Sequence, residues 1–140
     1  MRDSLVIPRF VQLARAGEAL TVAGDGSQHR KFVYVEDLAR AHVLALGDHA
    51  ENQTYNLDGR EQITILQIAE AVMRLTGGRK PIEFVPARGG DYAGADVSSE
   101  KACRELGWEP EIDFEHGMRR TVAWLTGQFS EERVAAAAGR

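Results

Sequence analysis

Two arginines stand where this chain could hold an anion. Arg30 follows the glycine-rich stretch Gly24-Asp25-Gly26-Ser27 and precedes the β-branched and aromatic run Phe32-Val33-Tyr34-Val35. Arg88 follows the apolar run Ile82–Val85 and opens a stretch with two adjacent glycines, Gly89 and Gly90. Each lies where ordered backbone is expected to give way to a loop that can line a cleft. Guanidiniums converging there would bind phosphate oxygens through paired N–H donors. Asp91, close behind Arg88, would hold that arginine in place or cap the turn. By spacing alone, the plainer reading of each as a solvated surface arginine stays open.

Other chemistries fit less well. The histidines are His29, His42, His49 and His116, and no His-Glu-x-x-His occurs, so they read as surface residues rather than metal ligands. Ser27, His29 and Asp37 have the residue types of a nucleophilic triad, but Ser27 lacks the strand-turn-helix context that would expose a nucleophile. Cys103, the single cysteine, falls on a helical spacing that faces a core and reads as a buried, inert thiol. Gly24-x-Gly26 and Arg88-Gly89-Gly90 lack the third glycine and the following helix of a dinucleotide turn. Neither leads into the Gly-Lys-Ser/Thr of a phosphate loop.

The elements that would position these residues follow from periodicity and punctuation. Leu5–Ala16 has helical apolar spacing and ends at Gly17. Leu20–Ala23, Phe32–Val35, Thr54–Leu57 and Ile82–Val85 read as strands. Glu36 and Asp37 would cap a helix running to about Leu46. Thr64 and Gln67 have capping-box spacing ahead of an amphipathic helix that stops at Gly77-Gly78. Ser98 would cap a short helix to Leu106, and Asp113 a longer one carrying Phe114, Met118, Val122 and Leu125. A compact unit over 4–127 and a flexible tail over 128–140 are expected. The strands are short, few and separated by long polar stretches. That suggests either an α+β domain or the second half of a larger α/β protein.

Composition narrows the function. With 17 Lys and Arg against 21 Asp and Glu, the 140 residues carry a formal charge of −4, which disfavours a nucleic-acid partner. No stretch approaches the roughly 20 apolar residues of a membrane span, and the beginning of the chain does not read as a secretory signal. One cysteine excludes an internal disulfide framework. A cytoplasmic location and no membrane partner are the expectations.

The same residues carry a family resemblance. The run from Gly24 to Asp37 resembles the Gly-Asp-Gly-x-x-x-Arg-Asp-Phe/Tyr-x-x-Val-x-Asp segment of the NAD-dependent epimerase/dehydratase family, the extended short-chain dehydrogenases that include UDP-glucose 4-epimerase. Tyr55-Asn56-Leu57-Asp58-Gly59 is similar to the family's Tyr-Asn-x-Gly-x-Gly, and Arg88-Gly89-Gly90-Asp91 to its Arg-x-Gly-Asp. Asp96–Ala102 and Glu105–Pro110 resemble its Asp-x-Ser-Lys-Ala and Glu-Leu-Gly-Trp-x-Pro, with an insertion. The resemblance runs in order from about Ser4 to Leu125.

The resemblance implies an α/β fold: a partial extended short-chain dehydrogenase, with a small mixed α/β substrate domain and elements that would complete a Rossmann domain. It implies a nucleotide-diphosphate sugar as ligand, its diphosphate gripped by the arginines matching Arg30 and Arg88. Lys31 replaces the family's acidic residue and adds positive charge beside that site; Tyr92 would stand in for a missing aromatic residue in a 91–96 stretch about two residues shorter than usual. The family's Gly-x-x-Gly-x-x-Gly turn does not occur. Nor does its catalytic Tyr-x-x-x-Lys, because Tyr34, Tyr55 and Tyr92 are followed four residues on by Leu38, Gly59 and Asp96. NAD is implied for a complete family member, but no cofactor site and no catalytic residue are assigned to these 140 residues. Three readings follow: the substrate half of an epimerase or dehydratase partnered by a cofactor domain, a stand-alone nucleotide-sugar binding module, or a non-catalytic relic that forms a homo-oligomer.

Overall fold

A computed structural model describes residues 5–87 and 97–127. Its first layer is helical. Helix α1 (Val6–Ala16) buries Phe10 and Val11, helix α3 (Ile65–Thr76) buries Ile68, Ala69, Ala71 and Val72, and helix α5 (Phe114–Thr126) buries Met118 and Val122. These recur at helical spacing, so each helix turns one apolar stripe inward. The Thr64–Gln67 capping box forms in both directions, with Thr64 Oγ1 accepting from the Gln67 N–H and Gln67 Oε1 from the Thr64 N–H. Asp113 caps α5 by accepting the His116 N–H at 2.8 Å, and that bond, with the His116 ring beside it, holds the Asp113 carboxyl below its ordinary range.

The strands are short. Strand β1 (Thr21–Ala23) pairs in parallel with strand β4 (Glu83–Val85), Val22 opposite Phe84. Strand β2 (His29–Lys31) pairs antiparallel with strand β3 (Gln62–Thr64), Arg30 opposite Ile63. The strand expected at 32–35 is therefore displaced. The ladder ends at Lys31, the Phe32 ring packs on Phe114 with centroids 6.0 Å apart, and helix α2 (Val35–Leu44) begins at Val35. The strand expected at 54–57 does not form; Tyr55 and Leu57 instead pack against a second, smaller core. Strand β3 escaped sequence reading because Gln62-Ile63-Thr64 carries one large apolar side chain behind two charged residues.

That second core contains Ala41 of α2, Ala102 and Leu106 of helix α4 (Glu100–Leu106), and Trp108. Helix α4 starts at Glu100 rather than at a Ser98 cap. Ser98 Oγ accepts the Glu100 N–H at 3.2 Å, whereas Ser99 Oγ turns to the Asp58 N–H at 2.6 Å. The expected tail, 128–140, lies outside the described residues.

Two glycines fix how the strand ends approach their neighbours. Gly26 has φ +74°, and a Cβ there would lie 2.8 Å from Val22 Cγ1. At Gly59 a Cβ would lie 2.2 Å from the Phe32 carbonyl oxygen, so the 57–59 segment rests directly on the backbone leaving β2. Gly59→Ala is expected to destabilise the fold by about 3 kcal/mol, the upper part of the overpacking range, because the obstacle is backbone. Urea unfolding measures this. A loss below about 1 kcal/mol would mean that the two segments separate without cost to the core.

Candidate functional site

Strands β1 and β4 are parallel, so both finish at one end of their ladder. Beyond that end the Gly24 N–H donates to the Val85 carbonyl at 2.9 Å, and a Cβ on Gly24 would lie 3.5 Å from that of Ala87. Ala87 immediately precedes Arg88 in the chain, and Gly24 opens the turn that leads to Arg30. The ladder thus gathers the roots of both arginine-bearing stretches outside the carboxyl ends of parallel strands, where α/β folds place ligands. Arg88, Asp91 and Tyr92 themselves lie outside the described residues.

The Gly24–Ser27 turn does not fit a dinucleotide pyrophosphate. Asp25 Oδ1 accepts the Ser27 N–H at 2.9 Å, and the Ser27 contacts hold that carboxyl below its ordinary range, so the turn carries an anion of its own. It also leads into β2 rather than into a helix whose N–H groups could meet phosphate.

Arg30 sits on β2 with its side chain exposed, and its Nη1 donates to the His29 carbonyl at 2.7 Å. Successive strand residues face opposite sides, so Lys31 projects from the other face. It enters a cleft of about 480 Å³ lined in part by Asp58, Arg60, Ser99, Cys103 and Glu109. Lys31 Nζ lies 3.3 Å from Asp58 Oδ2 and donates to the Val97 carbonyl at 3.3 Å. Its ammonium is engaged by the chain itself, and Arg30 does not line this cleft.

The far wall of the cleft, Trp108 to Pro110, is held from α2. Asp37, 2% exposed, accepts the Glu111 N–H on Oδ1 at 3.1 Å and the Ile112 N–H on Oδ2 at 3.0 Å. Its backbone carbonyl accepts Trp108 Nε1 at 2.8 Å. Arg40 bonds Asp37 Oδ1 at 3.1 Å, pairs with Glu111 Oε1 at 2.9 Å, and donates to the Glu109 carbonyl. Asp37 is therefore not the helix cap its position suggested. Burial alone would raise its carboxyl, but the two N–H donors and the Arg40 guanidinium outweigh burial and hold it below the ordinary value.

Cys103 also departs from expectation, because it is exposed rather than buried. Its Sγ lies 3.2 Å from Glu109 Oε1, while Arg60 Nη2 pairs with Glu109 Oε2 at 3.4 Å. The Glu109 hydrogen bond, with partial burial and the carboxylate charge, pushes the thiol up. Sequence reasoning passed over Asp58, Arg60 and Glu109 as site residues. The available signals were the Asp37-x-x-Arg40 spacing and the Trp-Glu-Pro run. Among the described residues no group of His, Cys, Asp and Glu could hold a metal ion, and no helix is long and apolar enough to cross a membrane.

Among the described residues the architecture is a mixed α/β unit with two two-stranded ladders. Comparison with known proteins defines the class. Residues 1–58 match the NAD dependent epimerase/dehydratase family. The chain is 34% identical over 132 residues to UDP-glucuronic acid decarboxylase 1 of Danio rerio, covering 94% of this chain and 31% of that protein. It superposes on UDP-glucose 4-epimerase of Thermotoga maritima, solved with UDP-glucose, with a TM-score of 0.77 at 30% identity, covering 93% of this chain and 40% of that one. For dTDP-glucose 4,6-dehydratase of Bacillus anthracis, solved with NAD, the TM-score is 0.79 at 30% identity, covering 89% and 40%. In sequence and fold the chain belongs to the NAD-dependent epimerase/dehydratase family, as part of the extended short-chain dehydrogenase fold. It spans between 31% and 39% of the first curated relatives it matches.

The depressed Asp37 carboxyl makes stability depend on pH in a defined direction. Its contribution is complete above the ordinary aspartate value of 3.8 and is lost as pH falls through the lower folded value. Asp37→Asn is expected to cost about 1–3 kcal/mol at neutral pH, because an amide cannot accept both N–H groups. The gap between wild type and variant should close on acidification below about pH 4. Urea midpoints measured across pH test this; a gap independent of pH would remove the charge from the account.

Proposed function

We propose that this chain is the nucleotide-diphospho-sugar-binding part of a nucleotide-sugar epimerase or dehydratase, with Arg30 and Arg88 gripping the diphosphate. The observation that carries the reading is the parallel β1–β4 ladder, which sets the turn leading to Arg30 against the residue before Arg88. The likeness to an epimerase solved with UDP-glucose supports the ligand class. Asp91 and Tyr92 complete the set by their places in the sequence, whereas Lys31 faces the other side of β2 and is paired with Asp58. The chain alone turns over no sugar, and its setting is the cytoplasm. NAD enters through a cofactor domain. When bound there it supplies the hydride acceptor, while the residues of this chain bind and orient the sugar nucleotide.

Titration calorimetry tests the assignment. A UDP- or dTDP-sugar is expected to bind saturably, and NAD is not. Replacing Arg30 and Arg88 by Ala removes charge-assisted bonds and should weaken sugar-nucleotide binding by about 100-fold or more. Unchanged affinity in a folded double variant would reject the paired-arginine role.

One observation favours a partner for this unit. Helix α2 buries Asp37 and Ala41 on one side yet leaves Val35 65% and Val43 67% exposed on another, and Trp124 of α5 is 62% exposed. Apolar surface on two sides of a helix belongs to an element packed between layers. The partner is a cofactor domain or a second copy of this chain. Sedimentation velocity is expected to show concentration-dependent association of the chain alone. A strict monomer across a wide concentration range would leave the cofactor domain as the partner.

A further inference from the structure

We propose that Asp37 is the positioning residue of the cleft: from outside it, through the 108–112 strap, its carboxylate holds Glu109 across the cleft between Arg60 and Cys103. The inference goes beyond the sugar-nucleotide reading and does not depend on it.

The geometry runs in one direction. Asp37 lies on the buried side of α2, does not itself line the cleft, and meets its far wall at the Trp108 indole. Its two carboxylate oxygens take two consecutive N–H groups, at Glu111 and Ile112, which fixes both the position and the direction of the strap. Its carbonyl takes the indole N–H of Trp108, so the strap is held on both sides of Glu109 and Pro110. Arg40, itself bonded to Asp37, adds a bond to the Glu109 carbonyl. With its backbone fixed at both ends, Glu109 has its carboxylate divided between two walls, Oε2 on Arg60 and Oε1 on Cys103 Sγ. Removing the Asp37 carboxylate leaves two N–H groups without acceptors. The strap then relaxes toward water, and Glu109 is no longer held against the thiol.

Cys103 reports on this without any ligand. It is the only cysteine in the sequence and is exposed. Lys31, Asp58, Arg60, Glu100 and Glu109 are the charged groups lining the same cleft, and Glu109 is the one in hydrogen-bond contact with the thiol. A thiol reacts as its thiolate, and a carboxylate beside it suppresses that form. Alkylation of Cys103 by iodoacetamide, followed across pH, is therefore the measurement. Glu109→Gln is expected to speed alkylation at neutral pH by about three- to tenfold and to move the midpoint of the profile down. Asp37→Asn should shift rate and midpoint the same way, although its side chain does not touch the thiol. Combined with Glu109→Gln it should add nothing further, because both act through one contact.

A folded Asp37→Asn variant with the wild-type rate and midpoint would overturn the proposal, as would effects that simply add in the double variant. If Asp37→Asn does not fold, hydrogen exchange of the wild-type chain decides. The Glu111 and Ile112 amides must be protected well above neighbouring exposed amides, and free exchange at both overturns the assignment. Sugar-nucleotide affinity plays no part in these readouts, so failure of the binding reading leaves them unaffected.

Discussion

A buried carboxylate that accepts two successive backbone N–H groups is the constraint on which the second core rests. Asp37 joins the first turn of α2 to residues that follow it by more than seventy positions, and Trp108 closes over its carbonyl. Burying a lone carboxylate is unfavourable. Here the cost is offset by the Arg40 guanidinium one turn along α2 and by two N–H donors of the strap, and the latter two bonds persist only while the strap stays in place. Around this clamp pack Ala41, Ala102, Leu106 and Trp108, and from it the chain passes directly into the Asp113 cap of α5. One residue type at one position therefore ties the smaller core to the larger one.

The two sides of β2 divide the work. On one, Lys31 is engaged by Asp58 and the Val97 carbonyl, and Glu109 is engaged by Arg60 and Cys103. Both cations of that cleft are thus paired with carboxylates of its own lining, which favours a fixed shape over attraction of an anionic ligand. On the other, Arg30 is presented from a strand whose preceding turn rests against the end of the parallel ladder. Arg30 lies on the exposed side, and its Nη1 donates to the His29 carbonyl.

Much of the fold was legible because it is punctuated locally. Gly17, Gly77 and Gly107 end α1, α3 and α4 in the left-handed conformation, and the expected caps form at the starts of α3, from Thr64 with Gln67, and of α5, from Asp113. The misread strands share a different cause. Phe32–Val35 and Thr54–Leu57 have the composition of strands, but their side chains serve packing between layers. The ladder instead runs through His29–Lys31 and Gln62–Thr64, whose residues are mostly polar. Pairing partners thirty residues apart leave no trace in either segment alone. Asp37 was misread for a related reason: an acidic residue at a helix start looks the same whether it caps its own helix or reaches a distant strap. Cys103 has the spacing of a core residue on α4, yet it lies on the side of that helix that opens to the cleft.

The span of the Asp37 clamp also bears on how this fold can diversify. The carboxylate and the strap are separated by 75 positions at Ile112, and the stretch 88–96 falls between them. Ring-closure entropy grows only with the logarithm of length, so two residues more or fewer in that stretch change the closure by roughly 0.02 kcal/mol. A frame stapled across so long a ring is nearly indifferent to insertions and deletions inside it. Lineages can therefore lengthen, shorten and resequence the connection between β4 and α4 while inheriting an unaltered scaffold.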